Sequence, residues 1–189
     1  MQFIQQQQGY IILLKMVFSK GFNTYLATLF GIGKLPGGGT IASLLVLLVA
    51  LYEQNAVTAS FLAFFTLIIA PKAYKKLTKN SEIEDPKEFV LDEVIGMGIA
   101  ISGVYILSNS FKNFSLNIAK GLSDVDTLFI LTFLIFRFFD ISKLGPVGWV
   151  ENNPNEEAYI KVIGDDIVAA ILSIIIVIII LIINLWVLS

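Results

Sequence analysis

Neither cysteine nor histidine occurs in the 189 residues. Their absence excludes thiol and imidazole nucleophiles, histidine general bases, disulfides and zinc sites built from the usual ligands. Arginine is almost missing as well: Arg137 is the only one. Charged residues make up 15% of the chain, where an ordinary soluble domain carries about 25%. The net charge of −2 and the lack of any basic, aromatic-interleaved patch give no reason to expect a nucleic-acid partner. The chemistry left open uses carboxylates, lysines, hydroxyls, one guanidinium and a hard cation such as Mg²⁺.

What the chain has in abundance is apolar surface. It is 56% hydrophobic, with a mean hydropathy of +0.81. A globule of this size cannot hide so much, because small domains bury the smaller share of their surface. The expectation is an all-α, compact helical integral membrane protein with a lipid bilayer around it. Residues 1–20, with their Gln run and short apolar patch, read as an interfacial or packing segment. No basic leader or small-residue cleavage site marks a signal peptide there. Residues 21–189 read as one helical domain.

Five apolar segments follow: Ile41–Tyr52, Val57–Ala70, Val94–Ser108, Thr127–Phe139 and Ile167–Ser189. Only the last reaches the roughly 20 residues that span a bilayer unaided, so three to five membrane-embedded segments are expected. Lys15, Lys20 and Lys34 precede the first segment, and Lys72, Lys75, Lys76 and Lys79 follow the second. The positive-inside tendency puts both groups in the cytoplasm. If all five segments cross, Glu53–Ala56 and residues 109–126 lie outside. The polar stretches "GIGKLPGGGT", "DPKEFVLDE", "RFFDISK" and "GDD" then all fall on the inner side. That convergence argues for a single site.

Each stretch has a structural and a functional reading. Asp85-Pro86-Lys87-Glu88 has the form of a helix start, with Asp85 as N-cap, Pro86 at N1 and Glu88 at N3. Capping leaves Asp92 and Glu93 unexplained. Glu88 and Asp92, four apart on such a helix, would repel unless a cation sat between them. Arg137 interrupts an apolar run with Asp140 three residues on, either as a buried ion pair or as a grip on phosphate. Lys143 adds a second positive charge about two turns beyond Arg137. One of Asp165 and Asp166 can cap the last helix, which leaves the other for a cation. Gly37-Gly38-Gly39 before Thr40 suggests exposed amides at a helix start, an anion cradle or merely a flexible turn.

Taken in order, these motifs resemble the bacterial phosphatidylglycerophosphatase A family over about residues 28 to 185. They are the Gly-rich turn with Thr40 and Ser43, then D-P-x-E-x-V-x-D-E-x-x-G from Asp85 to Gly96. F-R-x-x-D-x-x-K-x-x-P follows from Phe136 to Pro146, and D-D-I-V-A from Asp165. The resemblance implies a Mg²⁺-dependent lipid phosphatase. It would be a multi-pass protein of the cytoplasmic (inner) membrane, its active site facing the cytoplasm, converting phosphatidylglycerophosphate to phosphatidylglycerol. Asp92, Glu93, Asp165 and Asp166 would hold one or two Mg²⁺, with Asp140 as a further ligand or as orienter of Arg137. Arg137, Lys143, Lys34, Thr40 and Ser43 would bind the phosphomonoester. The nucleophile would be a metal-activated water or an Asp forming a phosphoenzyme. Three motifs depart from the family's usual form: Gly38–Ser43 replaces P-G-T-x-G-S, Lys143–Pro146 replaces K-P-x-P, and Asn155–Gly164 replaces a Gly-rich run before the final acids.

Phosphatases that need catalytic His or D-x-D-x-[TV], and CDP-alcohol phosphotransferases with D-G-x-x-A-R, do not fit this chain. A non-catalytic membrane protein, its acids capping helices and pairing with Lys, is the rival of another class. A cation-transport protein would need acids at mid-membrane depth, whereas these sit at segment ends.

Overall fold

Each apolar segment expected from the sequence, the last one up to Leu188, lies in a helix of the computed structural model, which describes residues 20–79, 86–109 and 122–188. The helices are α1 (Lys20–Ala27), α2 (Gly38–Glu53), α3 (Val57–Thr78), α4 (Leu91–Ser108), α5 (Asp124–Ser142), α6 (Pro146–Glu151) and α7 (Ala158–Leu188), with a 3₁₀ turn at Ile32–Lys34. The described residues contain no strand. The interfacial segment expected at residues 1–20 falls, but for Lys20, outside the described residues.

Three helices are long and apolar enough to cross a bilayer: Val57–Thr78, Leu91–Ser108 and Ala158–Trp186. Two are longer than their apolar cores suggested. α3 runs on through Pro71 for nearly two more turns, carrying Lys72, Lys75 and Lys76 with it. Proline is tolerated inside membrane helices because neighbours satisfy the freed carbonyl. α2 is apolar but only 16 residues long.

α4 is the axis of the bundle. It packs chiefly on α7 and α3, then on α2 and α5. Of its 18 residues 61% are buried, against 33% of the spanning windows of α3 and α7. The outer helices keep half-exposed apolar rows, Phe61, Phe64, Phe65 and Ile68 on α3 and Ile171, Ile175, Ile179 and Ile183 on α7. Such rows suit lipid, whereas in water they would form an unusually large apolar patch. Small residues let α4 sit so deep. A Cβ at Gly98 would come within 2.7 Å of the Ala59 carbonyl and 2.8 Å of the Ala63 side chain. Close backbone approach of this kind drives helix association where no water is displaced.

The end of the bundle away from the acidic motifs is fastened by polar contacts. Ser123 and Asp126 form a capping box that starts α5. The Gln54 amide, at the left-handed end of α2, donates to Asp126 at 2.6 Å. The bonds from Gln54 and Ser123 hold the Asp126 carboxyl below its ordinary value. The clasp therefore contributes fully above pH about 4 and is lost as the pH falls through the lowered value. Residues 53–56 and the start of α5 share one end, as expected of two outside connections.

Gly98→Val should push α3 from α4 and cost about 1–3 kcal/mol of stability. Ile183→Ala, on the lipid-facing row, should leave stability within about 0.5 kcal/mol of native. Thermal unfolding in detergent distinguishes the two.

Candidate active site

Four chain segments bring polar groups to one end of the bundle. The first is the turn into α2. Leu29, Phe30 and Gly31 are successive left-handed residues. A conformation that costs a non-glycine residue roughly 1 kcal/mol is held here by amide bonds from Phe30 and Gly33 to the Tyr25 and Thr28 carbonyls. The chain then enters α2 at Gly38 with left-handed Gly37 as its N-cap. The early amides of α2 are thus presented as the sequence suggested, and Thr40 and Ser43 follow on its first turns.

The second segment corrects an expectation. The helix carrying Asp92 and Glu93 begins at Leu91, not at Pro86. Residues 86–90 are a turn and irregular chain, so Glu88 is not a third helical residue and does not stack over Asp92. Asp85 lies outside the described residues. Tertiary packing overrides the local signal: Phe89 is buried edge-on against Tyr74, and the Val90 amide donates to the Ala27 carbonyl of α1 at 3.2 Å. The later start puts both Asp92 and Glu93 in the first turn of α4, the favourable end of its dipole for acids.

The third segment carries another correction. α7 begins at Ala158, two turns before the paired acids, so neither Asp165 nor Asp166 is its cap. The stretch that replaces the family's Gly-rich run supplies those turns, with Tyr159 on Tyr74 and Val162 and Ile163 in the core. Asp165 and Asp166 thereby face the bundle well inside the helix, and both are buried.

The fourth is the end of α5. The guanidinium of Arg137 pairs with Asp140 and donates to Thr40 Oγ1 at 3.1 Å and Ser43 Oγ at 3.3 Å, tying α5 to α2. Lys143 ends α5 in a left-handed conformation. Its ammonium lies 3.1 Å from Asp140 Oδ1 and 2.5 Å from Asp165 Oδ2. Burial works to lower the pKa of this ammonium, but Asp165 and Asp140 outweigh it and raise the value above the ordinary one. Lys143 is therefore charged at physiological pH.

These groups line two adjoining cavities. A cavity of about 230 Å³ is walled by Asp92, Glu93, Asp140, Lys143, Asp165 and Asp166. A larger one, about 860 Å³, is walled by residues 33–40, Arg137, Lys87, Glu88 and Glu93. Glu93 and Lys87 belong to both. Arg137, Lys34 and Thr40 therefore share the larger cavity, while Ser43 is buried behind Arg137 and Lys143 belongs to the acidic one. Lys87 was not foreseen from sequence, where it reads as a spacer between two motif acids.

One oxygen from each of Asp92, Glu93 and Asp166 lies within 4.8 Å of the others. Ligands about 2 Å from a hard cation stand roughly 3–4 Å apart, so a small closure fits the set to one ion. Asp166 Oδ2 and Glu93 Oε2 are buried without any hydrogen-bond partner, and no ion pair reaches the three acids among the described residues. Uncompensated buried carboxylates are costly, which is the condition that a divalent cation relieves. Asp165 is not of this set: Lys143 takes one of its oxygens and the Asp166 amide the other, at 2.9 Å. Asp140 has the geometry of an orienter, its two oxygens divided between Arg137 and Lys143.

The family model for phosphatidylglycerophosphatase A matches residues 25–181, most of the chain. The protein belongs to the phosphatidylglycerophosphatase A family. No curated protein and no solved structure matches it. Members of the family are phosphoric monoester hydrolases, which makes this chain an enzyme of lipid phosphate metabolism. The acidic cavity and the Gly-rich cavity of this phosphatidylglycerophosphatase A-like fold are built from the motifs that carry the family likeness.

Gly39 offers a sharp check on the junction between the two cavities. A Cβ there would overlap the Glu93 carboxylate, the movable end of a flexible side chain, and no backbone. Gly39→Ala should keep stability within about 1 kcal/mol of native, because alanine favours the helix. It should lower phosphomonoesterase turnover at least about tenfold by displacing Glu93, a loss of about 1.4 kcal/mol in transition-state stabilisation. Parallel melting and turnover measurements test the pairing.

Proposed function

We propose that the protein is a Mg²⁺-dependent lipid phosphatase that hydrolyses the terminal phosphomonoester of phosphatidylglycerophosphate, releasing phosphatidylglycerol and inorganic phosphate. The observation that carries this is the trio of buried Asp92 and Asp166 with half-buried Glu93, in no ion pair among the described residues, beside a cavity lined by cations and helix amides. Asp92, Glu93 and Asp166 would hold the ion. A bound Mg²⁺ would acidify a water and draw charge from the phosphoryl oxygens.

The chain's own groups have separable tasks. Lys34, Lys87 and the Gly39 and Thr40 amides of α2 bind the phosphoryl oxygens in the larger cavity, where the helix dipole favours an anion. Arg137, fixed by Thr40, Ser43 and Asp140, holds positive charge at the wall between the cavities. Glu93 lines both, so its unpartnered Oε2 is the group to accept a proton from the attacking water. The new P–O bond forms as the bond to the glycerol oxygen breaks, and the proton that Glu93 took from the water passes to that oxygen, which leaves as an alcohol. Positioning and charge carry most of such a reaction.

The membrane context supports the same reading. Leu77, at the Lys-rich end of α3, lines the larger cavity. The positive-inside tendency supports a site at the cytoplasmic face of the inner membrane, with the acyl chains left in the bilayer.

Phosphate release from phosphatidylglycerophosphate in detergent, with Mg²⁺ and with chelator, tests the proposal on the native chain and Asp92→Asn. Release should require Mg²⁺ and fall at least about a hundredfold in the variant, with melting unchanged or raised as one buried charge is removed. Release that survives chelation, or that Asp92→Asn leaves intact, would sink it. A well-folded native chain inert on this lipid but active on another phosphomonoester would move the substrate and keep the chemistry.

A further inference from the structure

We infer that Lys143 occupies the second cation position of this centre, so that the site takes one divalent ion per chain rather than two. The inference rests on the proposed metal site and adds its stoichiometry.

The five carboxylates around the acidic cavity fall into two groups. Asp92, Glu93 and Asp166 converge, and Glu93 Oε2 and Asp166 Oδ2 are buried without partners. Asp140 and Asp165 are saturated. The Lys143 ammonium bridges them at 3.1 and 2.5 Å, Arg137 takes the second oxygen of Asp140, and the Asp166 amide takes the second oxygen of Asp165. A paired metal site needs ligands for two ions about 3.5–4 Å apart. Here the carboxylates that would serve the second ion already hold a cation with a backbone-fixed origin at the end of α5.

Charge supports the same count. If all five acids are ionised, Arg137, Lys143 and Lys87 leave an excess of two negative charges. One divalent ion brings the centre near neutrality, ready for an anionic substrate. A second ion would have to expel an ammonium that already has two carboxylate partners. Two such contacts also leave one of the three ammonium protons for a phosphoryl oxygen, a role that a point charge on a short tether fills well.

The test counts bound Mn²⁺ per chain by electron paramagnetic resonance on the full chain in detergent. The native chain should bind one ion, and Lys143→Met should bind two. Native binding of two ions, or one ion in both proteins, overturns the inference. Because Lys143→Met leaves acids uncompensated and can fail to fold, two further variants keep the test decisive. Asp165→Asn should still bind one ion, weakened no more than about tenfold as expected of an outer-shell partner. Asp166→Asn should weaken binding at least about a hundredfold, as expected of a direct ligand (about 2.7 kcal/mol). Loss of the ion in Asp165→Asn would make Asp165 a ligand and refute the inference alone. A native chain that binds no Mn²⁺ would refute the metal site on which it rests.

Discussion

Unbalanced negative charge at the ends of apolar helices is the constraint around which this molecule is organised. Asp92, Asp140, Asp165 and Asp166 are each at most 9% exposed, and Glu93 keeps one oxygen wholly buried. Among the described residues, only Arg137 and Lys143 stand in ion pairs with any of these acids. Burial costs several kcal/mol per ion when the partner is missing. A bound cation, as proposed, would offset that cost. The surrounding features follow: acids in the first turn of α4, a later pair deep inside α7, and a single guanidinium spread over three partners so that it stays out of the trio.

Packing and chemistry are coupled through α4. Its small residues let α3 close on one face while its N-terminus delivers Asp92 and Glu93 to the other helices. Gly39 of α2 lies against Glu93, so the Gly-rich turn serves two ends. It exposes amides to the larger cavity, and it leaves space for a carboxylate that walls both cavities. The clasp of Gln54, Ser123 and Asp126 fastens the opposite end, so the polar groups are concentrated at the two extremities and the middle is apolar. That distribution is what a bilayer demands.

Much of this was legible in the sequence because the membrane writes a strong code. The apolar segments, the side on which the acids gather and the helix start at the three glycines all follow from composition and local chemistry. What misled was local signal overruled by packing. Asp85-Pro86-Lys87-Glu88 looks like a helix start, but burial of Phe89 and Val90 delays the helix to Leu91. Asp165 and Asp166 look like caps, yet Ala158–Gly164 adds two turns before them because Tyr159, Val162 and Ile163 have a core to enter. Asp165 and Asp166 are also adjacent in sequence but diverge in partners, one given to Lys143 and the other open. Adjacent residues on a helix point about 100° apart, so a pair read as one site serves two. Lys87 carries no local signal at all; only the fold brings it to both cavities.

The central claim is that the open trio, and not the pair held by Lys143, is the cation site. Anomalous scattering from crystals of the native chain grown with Mn²⁺ tests it most directly. The account predicts one strong peak between Asp92, Glu93 and Asp166, with the Lys143 ammonium still on Asp140 and Asp165. A peak between Asp140 and Asp165, or no peak at either place, would contradict it.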